Sequence, residues 1–194
     1  MAAFVLGNGI SRRGLDVQRL LALAPVYGCN ALYQEHTVTA LVATDTPIAT
    51  RIQQSGYSQQ HRFYTRRPQQ GSGALPVPAR YHGFSSGPVA VAVALEDLCT
   101  PLYLVGFDLG ANDQGRFNNV YAGQEFYKSV DSEATYTGNW VRQLLQITRD
   151  YPKSRFFRVC GDTTARVTEL ENLRNLQHLA WSEFLQRLNT PEEL

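Results

Sequence analysis

Gly7, Asn8, Gly9 and Ser11 form a small polar turn directly after the apolar run Ala3–Leu6 and ahead of a helical pattern. Glycines permit a tight strand-to-helix turn, and the free N–H groups at a helix start favour an anion. The spacing is not a dinucleotide fingerprint, because the third glycine of G-x-G-x-x-G falls on Arg12. The turn points to nucleotide-like ligands in general rather than to an NAD site. Its alternative is a purely structural turn.

Other residue types capable of chemistry sit at the ends of apolar runs. Asp45 and Asp108 each close one, and two carboxylates meeting in a cleft can hold Mg²⁺ on a diphosphate or act as acid and base; otherwise they are caps or ion-pair partners. His82 precedes the Ser86-Gly87 turn. Imidazole titrates in the range a general base needs, although a loop-capping role suits His82 equally. Tyr121, Phe126, Tyr127, Tyr136 and Trp140 can stack on a base or sugar, or fill a core. Cys29, Cys99 and Cys160 are far apart, with no C-x-x-C and no Cys/His metal spacing, so free thiols are expected. There is no run of eighteen apolar residues and no basic, cleavable leader pattern, so a cytoplasmic protein without a transmembrane segment is expected.

The net charge of +1 does not suggest a nucleic-acid partner. Its distribution is uneven: Thr46 to Leu95 holds no Asp or Glu but carries Arg51, Arg62, Arg66, Arg67 and Arg80, and arginine outnumbers lysine 16 to 2. Arginine suits bidentate contact with phosphate or carboxylate, which makes an anionic acceptor at this lobe one reading and a solvated loop the other.

These groups need a scaffold that brings separate turns together. Short apolar runs alternate with helical patterns, which predicts an α/β fold with an open, mostly parallel, Rossmann-like sheet. Strands are expected at Ala3–Leu6, Val26–Cys29, Ala40–Ala43, Arg62–Thr65, Pro101–Val105 and Arg155–Val159. Helices are expected over Asp16–Leu23, Pro47–Gln54, Ser85–Leu95, Asn139–Tyr151 and Glu169–Leu188. The stretch Arg66–Pro78 reads as a long surface loop. The whole, residues 1–194, is expected to be one nucleotide-binding domain with a small lid lobe from segments at about 60–85 and 110–136.

Four blocks resemble a known group in order and approximate spacing. Gly7-Asn8-Gly9-Ile10-Ser11 resembles the Gly-Asn-Gly-Pro-Ser turn of bacterial sialyltransferases of the Campylobacter type (glycosyltransferase family 42) and of the wider MptE-like (DUF115, Maf-type) proteins. Gly28-Cys29-Asn30-Ala31-Leu32-Tyr33 is similar to their Arg-Cys-Asn-Gln-Phe-Tyr. Ser85-Ser86-Gly87 is similar to their Thr-Ser-Gly helix start, and Leu102–Asp108 to their Ile-Tyr-Leu-Ser-Gly-Ile-Asp. The resemblance implies a CMP-type nucleotide-sugar donor as ligand. Asn8 and Ser11 are then near the donor phosphate and ribose, Asn30 near phosphate or base, Ser86 and Gly87 on the phosphate through backbone amides, and Tyr121 and Tyr127 on the phosphate. Asp108 then holds the ribose or an active-site loop. One departure stands out: the family's general-base His, in a Tyr-Ile-Gly-His context, corresponds to Asn139 in Tyr136-Thr-Gly-Asn139. An amide cannot take a proton at neutral pH.

Three readings follow. The first is a nucleotide-sugar-dependent glycosyltransferase-like protein, with His82 and Asp108 as catalytic candidates. The second is a non-catalytic binding or structural protein on the same fold, such as a phage-encoded accessory or virion protein, for which self-association or virion assembly is expected. The third is an MptE-like pterin diphosphokinase, in which Asp45 and Asp108 hold Mg²⁺; only this reading calls for a metal.

Overall fold

The computed structural model describes residues 1–190, 192 and 194. The elements run β1 (Ala3–Leu6), α1 (Val17–Leu23), β2 (Val26–Cys29), β3 (Ala40–Ala43), α2 (Thr46–Gln54), α3 (Tyr57–Gln60), β4 (Phe63–Thr65) and β5 (Leu75–Pro76). They continue α4 (Ser86–Glu96), β6 (Leu102–Val105), α5 (Gly138–Asp150), β7 (Phe156–Cys160), α6 (Thr168–Glu171), β8 (Leu176–Ala180) and α7 (Trp181–Arg187). Among the described residues all eight strands pair in parallel, in the order β5-β4-β3-β2-β1-β6-β7-β8. The fold is α/β and Rossmann-like: an open sheet with helices on both faces.

The central strands are short continuous apolar runs because both faces are covered. Alternate residues of β1 divide between two cores: Ala3 and Val5 face the side packed by α4 and α5, while Phe4 and Leu6 face the side of α1, α2 and α7. Helix α4 lies deepest. Its residues from Pro88 to Leu95 are all buried, as its small and β-branched apolar sequence requires. No helix among the described residues is long and apolar enough to cross a membrane.

Three segments differ from expectation. The stretch 169–188 is not one helix: Leu176–Ala180 is the edge strand β8, followed directly by α7. Its buried residues, Leu176 and Leu179, are three apart, a spacing that mimics a helical stripe. The stretch 66–78 is not wholly loop, since Leu75–Pro76 pairs with β4 and extends the sheet. The turn after β1 leads into an unexpected 3-10 segment, Ile10–Arg12, before α1 begins at the expected Asp16 cap. The segment 110–136 holds no helix or strand, only an isolated antiparallel bridge between Arg116 and Glu133.

Helix α4 ends in a Schellman turn: Leu98 N–H donates to Leu95 O and Cys99 N–H to Ala94 O. The left-handed position, where glycine is usual, is held by Leu98 at φ 61°, and its side chain is 84% exposed. Leu98→Gly is expected to stabilise the protein by about 1 kcal/mol, because relief of the left-handed strain exceeds glycine's extra chain entropy. A denaturant titration of both proteins checks this.

Candidate functional site

Strand order reverses between β1 and β6, and ligands of open α/β sheets bind outside the strands' carboxyl ends at such a point. Here the two strand-end turns cross in contact. Gly7 N–H donates to Val105 O at 2.8 Å and Gly9 N–H to Gly106 O at 2.9 Å. A Cβ on Gly7 would stand 2.5 Å from Gly106 O, and one on Gly106 would stand 2.7 Å from Gly7 O. Gly106 also has φ +75°. Gly7 and Gly106 are therefore glycines because two backbones meet, whatever approaches from outside.

At the helical end of the first turn, the amides of Ile10 and Ser11 have protein acceptors, whereas the Asn8 amide has none among the described residues. Ile10 N–H donates to Asn118 Oδ1 at 2.8 Å and Ser11 N–H to Asp108 Oδ2 at 3.0 Å. Asp108, 3% exposed, also accepts from the hydroxyls of Ser11, Thr163 (2.7 Å) and Thr164 (3.2 Å). The anion bound at this turn is the chain's own carboxylate. Behind it the Arg158 guanidinium, 1% exposed, donates to the carbonyls of Phe107, Asp108 and Ala165 at 2.9–3.0 Å. Burial pulls the Arg158 pKa below its ordinary value, while the charge of Asp108 opposes that shift. The pair closes the β6–β7 side of the switch point.

A second buried arginine orders the other side. Arg12 donates to Gly7 O at 2.7 Å, Asn8 Oδ1 at 3.2 Å and the Tyr121 hydroxyl at 3.1 Å. By holding Asn8 Oδ1 it fixes which way the Asn8 amide points. Tyr121 is buried, and its hydroxyl lies 3.4 Å from Glu35 Oε2. The Tyr127 hydroxyl accepts from Ala31 N–H at 3.2 Å. Burial pushes the Tyr121 phenol up to about 12 and the Cys29 thiol likewise up to about 12, so Cys29 is a neutral wall.

What remains open is a cavity of about 170 Å³ at the same carboxyl edge, lined among others by Asn8, Asn30, Asp45, Ser86, Gly87 and Trp140. Gly7, Gly9 and Asp108 line it too. Helix α4 points its N-terminus here. Its Ser85 N–H goes to Gln143 Oε1 at 2.9 Å, Val89 N–H to Ser85 O, and Pro88 has no N–H. The amides of Ser86 and Gly87 have no acceptor among the described residues. Thr44 N–H donates to Ser86 Oγ at 2.9 Å, and that hydroxyl donates to Asn30 Oδ1 at 3.0 Å. This chain ties the ends of β2 and β3 to α4 and leaves the Asn30 NH₂ without an acceptor among the described residues. Asn30 (φ 55°) and Leu109 (φ 54°), both non-glycine and both left-handed, line the same cavity; such strain clusters at binding sites. Asp45 is exposed, and its side chain makes no cap bond.

A larger cleft of about 680 Å³ adjoins through Asn119, which lines both; Ser11, Arg13, Asp162, Thr163 and Trp181 contribute to it. Of the site residues expected from sequence, the cavity gathers Gly7, Asn8, Gly9, Asn30, Asp45, Ser86, Gly87 and Asp108. Ser11 lies in the neighbouring cleft, while Tyr121 and Tyr127 sit behind the wall. His82 is exposed and lines neither space; neither do His36, His61 or His178. Asn139 is exposed and accepts from Arg142. Sequence reasoning missed Gly106, Leu109 and Asn118. Gly106 was findable, as a glycine ending a buried strand, whereas nothing local marks Leu109 as left-handed.

No family model matches this chain, and no curated protein does. Among solved structures it is similar to the Maf glycosyltransferase from Magnetospirillum magneticum AMB-1, at 20% identity and a TM-score of 0.47. The match covers 98% of this chain and 37% of that one, so the chain spans well under half of that protein's length.

Proposed function

We propose that this chain binds a nucleotide or nucleotide sugar in the switch-point cavity and acts as a glycosyltransferase-like protein. One observation carries the reading: two α4 amides and the Asn30 NH₂, unpaired among the described residues, converge with Trp140 on a single cavity beside the strand ends. Helix α4 supplies partial positive charge to a phosphate. Asn8 and Asn30 offer neutral donors to sugar or base, and Trp140 offers a face to stack on. With Asp108 engaged in four hydrogen bonds, Asp45 is the carboxylate left open to an acceptor hydroxyl. The transfer step in this reading is direct displacement at the donor sugar, with Asp45 taking the acceptor proton and the nucleotide phosphate leaving toward the α4 amides.

A second reading is binding without transfer. It is favoured by the fact that none of the four histidines lines either space. A metal-assisted diphosphokinase fits the residues poorly. Both oxygens of Asp108 already accept hydrogen bonds from Ser11, Thr163 or Thr164, so a cation shared with Asp45 must displace them.

Thermal-shift measurements with CMP, CDP, UDP, GDP and ATP, each with and without Mg²⁺, test the binding. One nucleotide is expected to stabilise by about 2–3 kcal/mol at a hundredfold excess over its dissociation constant. Turnover of the sugar donor of that nucleotide, lost in Asp45→Asn with binding kept, separates transfer from binding alone. No shift with any nucleotide refutes both.

A further inference from the structure

Away from the cavity, an open groove of about 610 Å³ runs between α5 and the 80–84 segment. Its charged lining residues are Arg80, Arg142 and Arg149, with no Asp or Glu among the lining residues. Arg142, Leu145, Gln146 and Arg149 follow the i, i+3, i+4, i+7 spacing of one helix face. Only Arg80 has a carboxylate partner, Asp150, which also accepts from Tyr81 and Gln146. Arg142 donates to the neutral Asn139, and Arg149 has no side-chain partner among the described residues. Arg66 adds a fourth guanidinium nearby, bonded to the carbonyls of His82 and Phe84 rather than to an acid.

Neighbouring residues of the chain line the groove and the candidate site. Phe84 lines the groove and its neighbour Ser85 lines the cavity. On α5, Trp140 faces the cavity, and Gln143 lines the groove while capping Ser85. A molecule held in the groove therefore lies next to residues that wall the cavity.

We propose that this groove binds an acidic glycan, a sugar chain bearing carboxylates, and holds it as the acceptor beside the cavity. The choice of a glycan rests on the transferase reading; the charge of the groove does not. Guanidinium forks match carboxylates bidentately, the glutamine amides suit hydroxyls, and half-buried Phe84 supplies an apolar face. Arg142 and Arg149 are two turns apart, about 10 Å along the helix. The chain's net charge of only +1 argues against a nucleic-acid backbone as the occupant.

The test is a titration of fluorescein-labelled oligogalacturonate into the whole chain. Labelled maltose oligomer serves as the neutral control and a labelled single-stranded oligonucleotide as the competing polyanion. Salt-sensitive binding of the galacturonate, weakened about tenfold or more in Arg142→Gln/Arg149→Gln, supports the proposal, provided that the variant's melting temperature matches the wild type. Arg13→Gln, on the separate cleft, is expected to bind as wild type. Equal affinity in wild type and double variant, or no saturable binding, overturns the proposal. Tighter binding of the oligonucleotide, lost in the double variant, also overturns it and assigns the groove to nucleic acid. A wild type that binds galacturonate but shows no shift with any nucleotide keeps the groove and refutes the cavity reading.

Discussion

Asp108→Ala is expected to lower stability by about 3 kcal/mol and the melting temperature by roughly 6–12 °C. The carboxylate is almost wholly buried and accepts from one backbone amide and three hydroxyls. Its removal leaves the Ser11 amide without its acceptor and takes a compensating negative charge from Arg158, whose guanidinium is as deeply buried. Asp108→Asn keeps one acceptor oxygen and is expected to fall between wild type and alanine. The direction matters for function. A carboxylate held ready for substrate is commonly removed at little cost, or with a gain, in stability. A melting temperature unchanged in Asp108→Ala contradicts the view that Asp108 clasps the β6 and β7 turns, and returns it to the list of groups free to meet a ligand.

Gly106→Ala is expected to be as damaging, at about 3 kcal/mol or more. Two costs combine: a side chain at φ +75°, worth about 1–2 kcal/mol, and a Cβ 2.7 Å from Gly7 O at the crossing, where the backbones must separate. Gly115→Ala isolates the first cost, since Gly115 has φ +72° with nothing within 4 Å of its hypothetical Cβ. Thermal melts of the two variants side by side read the difference. If Gly106→Ala costs no more than Gly115→Ala, the close crossing of the two turns is wrong.

The central sheet was legible because its strands are buried on both faces, and runs such as Ala40–Ala43 and Leu102–Val105 admit little else. Helix α4 was legible from the Ser-Ser-Gly-Pro start and its small apolar body. Edges were harder. The two residues of β5 are defined only by pairing with β4, and β8 buries Leu176 and Leu179 in a non-alternating pattern set by α6 and α7. At the site, sequence named the turns that converge but not how their groups divide. Gly7-Asn8-Gly9 reads as an anion cradle, yet its neighbouring amides are satisfied by Asn118 and Asp108, from a strap and a strand end about a hundred residues away. Among the described residues the unpaired helix-start amides are those of Ser86 and Gly87, and of the first turn only the Asn8 amide joins them on the cavity. Which turn keeps free donors depends on tertiary partners, and no local spacing encodes it.

The most direct test of the central claim is isothermal titration of CMP, CDP, UDP, GDP and ATP, each in turn, into the wild type and Asn30→Gly. Glycine suits the left-handed backbone at this position (φ 55°) and loses only the side-chain bond to Ser86, so the variant is expected to fold within about 1 kcal/mol of wild type. Saturable one-site binding of one nucleotide by the wild type, weakened about tenfold or more in Asn30→Gly, is the predicted result. Identical isotherms for the two proteins, or no heat from either with any nucleotide, contradict a nucleotide site at the switch point.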